Sequence, residues 1–354
     1  MSRLKRKQEH IFSALHLAER TVNSGFADIT FVHNALPEIA SSEISLVVQL
    51  FGKKLQAPII INAITGGGKV SAGINEALSL CARETGLAMA VGSQTVALED
   101  PDCEESFRIV RRVNPEGLVM ANVGANVPVH RVRKAVEMVA ADALQIHLNV
   151  PQETVMREGD TDFRGWYKNI ADIIRELEVP VIVKEVGFGM SREVVKRLRD
   201  VGAINFDIGG RGGTNFIAIE GLRGKGRADC FELWGISTAA SLVEVYDCGL
   251  AEVIIATGGI RNGLEVAKTL ALGANIAGIA GICLKVLFEK SVEGLIAGLE
   301  NTKKDLKKVM QMLGIKVPSD LRSVPVVITG ETREWLVERD IDTRKYARRG
   351  WPEP

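Results

Sequence analysis

Lys184 ends the apolar run Pro180-Val-Ile-Val-Lys184. A lysine leaving a greasy segment is partly desolvated, and three roles are open to it: a Schiff base with a carbonyl substrate, stabilisation of an anionic ring atom of a cofactor, or an ion pair with a neighbouring carboxylate such as Glu185. At about 4 Å and an effective dielectric near 20, the second attraction is on the order of 4 kcal/mol before desolvation is subtracted. A second polar group lies in Gln145-Ile-His-Leu-Asn-Val-Pro-Gln-Glu153. His147 and Asn149 are two apart in extended chain and face one side. Pro151 fixes a turn, from which Gln152 and Glu153 project. One carboxylate is a poor all-protein metal site, but it suits magnesium, which keeps waters and leans on substrate phosphates.

Glycines supply a third feature. Ala256-Thr-Gly-Gly-Ile-Arg-Asn262 follows one apolar run and Ala280-Gly281 follows the next. Glycine lets backbone N–H groups approach phosphate oxygens, a following helix N-terminus favours negative charge, and Arg261 offers a bidentate contact. A phosphate-bearing ligand is the reading these loops support. A tight turn explains any single glycine pair, but not the whole set. At the N-terminus Arg6, Lys7 and His10 have helical spacing that puts Arg6 and His10 on one face, by default a solvated basic face.

These residues must be held by repeated elements. Eight short runs recur, most of them apolar on both faces: 58–62, 87–91, 118–122, 143–147, 180–184, 204–207, 252–256 and 275–279. Such runs suit parallel strands covered on each side. Helical periodicity occupies 71–85, 129–140, 166–177, 192–200, 237–246 and 262–272, with Ser71, Ser191, Ser237 and Asn262 at N-cap positions. Eight strand–helix units point to an α/β chain folded as a single (β/α)8 TIM barrel, whose loops after the strands share one rim; an open doubly wound sheet is the alternative. The expected organisation is an N-terminal extension over 1–57, the barrel over 58–285, and a C-terminal helix and tail over 286–354, packed on the barrel or at an interface.

Composition narrows the function classes. Forty-four basic and 44 acidic residues give a formal net charge of zero, with 46% hydrophobic and 25% charged residues. Those are globular values, and neutrality removes the electrostatic term that nucleic-acid binding rests on. Five cysteines, Cys81, Cys103, Cys230, Cys248 and Cys283, form no C-x-x-C pair and suggest a reducing compartment. The basic N-terminus lacks the apolar stretch of a signal peptide, and the greasiest run, 270–284, is too short to span a bilayer. A cytoplasmic protein with no nucleic-acid or membrane partner is expected; the barrel fold, which often assembles, adds the expectation of a homo-oligomer, and the loops described above that of a small-molecule substrate.

Several pieces carry a specific resemblance. They are Arg6-Lys-x-x-His-Ile11, Ile64-Thr-Gly-Gly-Gly68, Val91-Gly-Ser-Gln94, Asn122-Val-Gly-Ala-Asn126, His147-Leu-Asn-x-x-Gln-Glu153, Arg157-Glu-Gly-Asp160, Phe163-Arg-Gly-Trp166, Val183-Lys-Glu-Val-Gly-Phe-Gly-Met190, Asp207-x-Gly-Gly-Arg-Gly-Gly-Thr-Asn-Phe216, Trp234-Gly-Ile236 and Thr257-Gly-Gly-Ile-Arg-Asn-Gly263. From about Arg6 to Lys285 the chain resembles the type 2, FMN-dependent isopentenyl-diphosphate delta-isomerases. The resemblance implies a barrel of isoprenoid biosynthesis that interconverts isopentenyl and dimethylallyl diphosphate. Reduced FMN would act as acid and base, with Mg2+ on the diphosphate and NADPH or another reductant to reduce the flavin. It also implies positions. Thr65, Gly66, Gly67, Ser93, Asn122, Lys184 and Thr214 would contact FMN, and Gly258, Gly259, Ile260, Ala280 and Gly281 would hold its phosphate. Arg6, Lys7, Ser93, Gln94, Thr95 and Gln152 would contact substrate, with Thr95 where a basic residue is usual. Glu153 would hold Mg2+, His147 and Asn149 would line the pocket near the diphosphate, and Gln152 would orient the reacting end.

Two related chemistries fit the sequence less well. Flavin 2-hydroxy-acid oxidases need a base His beside the sixth-strand arginine, and Asp207-Ile-Gly-Gly-Arg211-Gly has none. Inosine-monophosphate dehydrogenases need a cysteine on a glycine-rich loop, whereas Cys230 lies in the charged segment Arg227-Ala-Asp-Cys-Phe231. A Schiff-base lyase using Lys184 and a non-catalytic flavin-binding protein are the alternatives from other classes.

Overall fold

The computed structural model describes residues 22–223 and 229–351, together with Glu9 and Ser13. Strand β1 (Ile29–Phe31) is followed by a hairpin of β2 (Val48–Leu50) and β3 (Lys53–Leu55). Its turn residues Phe51 and Gly52 have φ of 47° and 76°, the left-handed pair that a two-residue hairpin requires. Eight parallel strands follow: β4 (Ile59–Ile61), β5 (Ala88–Ala90), β6 (Val119–Gly124), β7 (Ala143–Leu148), β8 (Val181–Glu185), β9 (Asn205–Asp207), β10 (Val253–Thr257) and β11 (Ile276–Ile279). They close into a barrel in chain order, β11 returning to β4 through Ala277 opposite Ile59. All eight runs read from the sequence are these strands.

The helices between them also fall where their periodicity predicts. Ser191, Ser237 and Asn262 cap their helices by accepting from the N–H groups of Val194, Ala240 and Glu265. Ser71 does not. The first barrel helix already starts at Gly68, because Gly67 and Gly68 turn the chain with φ of 91° and 77°. The Ser71 hydroxyl lies inside that helix, 3.0 Å from the Thr65 hydroxyl. The tail folds back onto the barrel. Strand β12 (Val326–Ile328) pairs antiparallel with β1, and Leu321, Val324, Leu336 and Tyr346 are fully buried. The last barrel helix, Gly281–Leu313, turns at Ser291, where φ is 83°. Among the described residues no helix is long and apolar enough to cross a membrane.

The barrel interior has two layers. Ile60, Ala88, Ala90, Met120, Ala143, Ile182, Ile255 and Ile276 form an apolar lower layer, and Leu50 and Leu55 of the hairpin cap it from below. Their strand neighbours Ile59, Ile61, Ala121, Leu144, Val183 and Ala256 point outward against the helices. Side chains alternate along a strand, so the next inward positions toward the C-terminal rim are Asn62, Asn122, Gln145, Lys184 and Thr257, all polar. On β9 the same parity turns Asp207 inward and Phe206 out to the helices. A polar floor therefore sits on an apolar plug.

Candidate functional site

A cavity of about 560 Å3 opens above this floor. That lies within the range of roughly 300–1,000 Å3 typical of small-molecule sites. Of the residues expected to act, Thr65, Ser93, Thr95, Asn122, His147, Asn149, Gln152, Glu153, Lys184, Thr214, Gly258, Gly259, Ile260, Ala280 and Gly281 all line it. Three do not. Gly66 is packed so closely on the Phe107 ring that a Cβ would lie 2.0 Å from it, and the Gly67 N–H donates to the Ser106 hydroxyl at 2.8 Å. Gln94 is fully buried, its amide donating to the Ala135 carbonyl at 2.8 Å and accepting from the Asn122 N–H at 3.0 Å. Its side chain is committed to the wall, and of the Ser93–Gln94 pair only Ser93 lines the cavity. Arg6, Lys7 and His10 lie outside the described residues.

Lys184 is buried, and its ammonium donates to Asp207 Oδ2 at 2.8 Å. The partner is not Glu185. Adjacent strand residues point to opposite faces, whereas Lys184 and Asp207 are paired across β8 and β9. Glu185 instead accepts the backbone N–H groups of Val186, Gly187 and Phe188 at 2.7, 3.2 and 3.0 Å, and burial pushes its carboxyl up to about 8. Sequence reasoning passed over Asn62, Gln145 and Asp207 although each lies within or at the end of a run it recognised. The missed signal was parity: each sits two residues beyond an inward apolar residue or across from one that does.

One side of the rim is built from backbone. Gly258 and Gly259 have φ of 128° and 74°, and a Cβ on them would meet the carbonyl oxygens of Gly210 and Gly212 at 2.2 and 2.3 Å. Gly210 N–H donates to Thr257 O at 2.8 Å. Arg261 donates to the carbonyls of Gly259 and Gly212 at 3.1 and 3.4 Å, so it staples the two glycine loops together. Ala280 and Gly281 then open the last barrel helix onto the same end of the cavity. This concave, glycine-rich surface beside a helix N-terminus fits a phosphate. With the Lys184 ammonium on the floor, the residues present fit an FMN-sized group, the glycine loops being suited to its phosphate.

The opposite side is built from side chains. Asn149 Nδ2 donates to Glu153 Oε1 at 2.8 Å, and Asp160 N–H donates to Glu153 Oε2 at 3.0 Å. Gly159 packs so tightly there that a Cβ would lie 2.0 Å from Glu153 O. Gln152 Nε2 donates to Glu220 Oε1 at 3.3 Å, and Glu220 pairs with Arg223. The Arg223 side chain is 8% exposed and reaches Glu158 at 2.7 Å and Glu9 at 3.1 Å. One guanidinium thus joins the helix 216–223, the loop after β7 and the N-terminal segment. Among the described residues no three His, Cys, Asp or Glu side chains converge, so a cation at Glu153 would rely on the ligand's own oxygens.

The family model described as FMN-dependent dehydrogenase matches residues 102–327. An isopentenyl-diphosphate delta-isomerase of Geobacillus sp. (strain WCH70) is 49% identical over 348 residues, 98% of this chain and 99% of that one. The isopentenyl-diphosphate delta-isomerase of Moorella thermoacetica is 47% identical over 339 residues, covering 96% of this chain and 97% of its own. Among solved structures, a mandelate oxidase with a monooxide FMN adduct aligns at TM-score 0.64 and 16% identity over 93% of this chain and 100% of that one. A flavocytochrome b2 with sulfite bound aligns at TM-score 0.67 and 17% identity over 89% and 81%. Those two likenesses concern the fold alone.

Proposed function

The chain belongs to the type 2, FMN-dependent isopentenyl-diphosphate delta-isomerases, and from that premise we propose that it moves the double bond of isopentenyl diphosphate by one carbon to give dimethylallyl diphosphate, with reduced FMN and Mg2+. The observation that supports this most directly is that one cavity joins the glycine cradle, the buried Lys184 and the Gln152–Glu153 wall. One proton is added at one end of the allyl unit and one is removed at the other, so the reaction balances without net redox. Reduced FMN, when bound, supplies an exchangeable proton beside an electron-rich ring.

The chain's own residues do the rest. Gly258, Gly259, Ile260, Ala280 and Gly281 hold the cofactor phosphate, and Thr65, Ser93, Asn122 and Thr214 line the seat of its remainder. Lys184, fixed by Asp207, would offer its remaining N–H donors and its charge to an anionic ring. Glu153, oriented by Asn149, binds Mg2+ against the diphosphate, with Arg6 and Lys7 as further cations and His147 nearby. Gln152 has its amide nitrogen on Glu220, which leaves its carbonyl oxygen to orient the reacting end. Binding energy from the unreactive diphosphate is then available to position the alkene. NADPH or another reductant would charge the flavin, and a cytoplasmic homo-oligomer completes the reading.

The test is anaerobic incubation of the purified chain with FMN, Mg2+, reductant and isopentenyl diphosphate. Dimethylallyl diphosphate is expected, with no net consumption of reductant after the flavin is reduced. A chain that binds FMN but leaves the alkene unmoved overturns the reading.

A further inference from the structure

The polar floor is wired in one direction. Asn62 is the fixed point. The Ala63 N–H can only donate, and it reaches Asn62 Oδ1 at 2.9 Å. The Asp207 carboxylate accepts from Asn62 Nδ2 at 2.6 Å, and Thr257 Oγ1 lies at 2.6 Å from the same nitrogen. With its oxygen and nitrogen so assigned, Asn62 must receive a donor from Gln145, and Gln145 Nε2 lies at 2.9 Å from Asn62 Oδ1. Gln145 Oε1 is then the acceptor for Asn122 Nδ2 at 3.0 Å, and Asn122 turns Oδ1 to His147 Nδ1 at 2.8 Å. An amide oxygen cannot donate, so the hydrogen between them belongs to His147. Asn62, Gln145, Asn122 and Asp207 are each at most 2% exposed, so their amide and carboxylate groups are satisfied mainly by one another.

The geometry points to Asp207, acting through Asn62, Gln145 and Asn122, as the positioning residue that holds His147 in the Nδ1–H tautomer. In that tautomer Nε2 is the acceptor nitrogen of the His147 ring. Its ring cannot turn over about Cβ–Cγ without putting a carbon against Asn122 Oδ1. The same carboxylate anchors Lys184, the cross-strand neighbour of His147, so a single buried acid sets two adjacent groups of the cavity floor. Gln145 is the link to cut, because it is fully buried and does not line the cavity. The consequence for turnover rests on the isomerase reading above; the tautomer does not.

The experiment labels the histidines of the FMN-loaded enzyme with nitrogen-15, assigns His147 by its loss in His147→Asn, and reads both ring nitrogens at a pH where the ring is neutral. A protonated Nδ1 and a bare Nε2 are expected; a protonated Nε2 overturns the proposal even if the enzyme is fully active. In Gln145→Met the two tautomers should mix, and kcat should fall roughly ten- to a hundredfold, the range for losing an outer partner that orients an imidazole. Gln145→Glu, held neutral by burial, presents a carbonyl to Asn122 and an O–H to Asn62 and should restore the native spectrum. An unchanged His147 spectrum in Gln145→Met overturns the relay. If that variant does not fold, the native spectrum still decides the tautomer. Failure of the native chain to isomerise sinks the isomerase reading and leaves these nitrogen signals as they are.

Discussion

The two sides of the rim are made of different materials. Around Gly210, Gly258 and Gly259 the chain packs backbone on backbone, with carbonyls where side chains would otherwise stand. Around Glu153, Glu158 and Arg223 it is held by side-chain hydrogen bonds and ion pairs. Backbone packed this closely has one arrangement, which suits a group that stays bound through many turnovers. Side-chain ties break and re-form at little cost, which suits a ligand that enters and leaves each cycle.

That contrast is open to attack from both sides. The largest effect is expected at the floor beneath the backbone-built half. Lys184→Ala leaves Asp207 buried without its counter-ion and should destabilise the fold by about 3–5 kcal/mol in urea titrations. Adding Asp207→Asn should recover part of the loss, and a single variant as stable as the native chain would show the pair to be dispensable. Next comes Gly258→Ala, which places a methyl 2.2 Å from Gly210 O at a φ of 128°. Strain of about 1–3 kcal/mol is expected at such a position, together with loss of FMN from the gel-filtered protein. Full flavin occupancy would mean that the cradle tolerates a side chain and is not set by its backbone.

On the other half the same treatment should spare the cofactor. Glu153→Gln should keep FMN and stability while raising the Mg2+ needed for half-maximal rate by about tenfold or more, as for loss of a ligand or of its orienting shell. Indifference to Mg2+ would remove Glu153 from the metal's surroundings. The smallest effect concerns pH. The Glu185 carboxyl is raised from the ordinary carboxylate value of 4.5 to about 8. Between those values the folded chain holds a proton that the unfolded chain has released. Stability should therefore fall as pH rises through that window, by on the order of 1 kcal/mol per unit. Glu185→Gln should flatten the slope, and equal slopes for the two chains would assign the pH dependence elsewhere.

Much of this was legible in the residues. The eight strands stood out because parallel strands covered on both faces are apolar runs with few interruptions, and three of the four proposed caps were real because Ser and Asn accept from the N–H three residues on. What escaped was fine parity and long-range pairing. Ser93 and Gln94 are neighbours, yet one lines the cavity and the other is spent inside the wall. For Lys184 the sequence left three roles open and offered its neighbour Glu185 as an ion-pair partner, whereas its partner is the cross-strand Asp207. The pairing of β1 with β12 joins segments some three hundred residues apart, and no local pattern announces it. The Glu220–Arg223 link to Gln152 was missed for the same reason, since it depends on a helix coming to rest beside a turn from another unit.

The hairpin that stoppers the lower end of the barrel has a kinetic corollary. Among the described residues the hairpin closes that end, so occupants that enter by the rim must queue: the deeper guest arrives first and departs last. The coenzyme would then be trapped for as long as the diphosphate blocks its exit, and its escape should slow as the concentration of that second guest is raised.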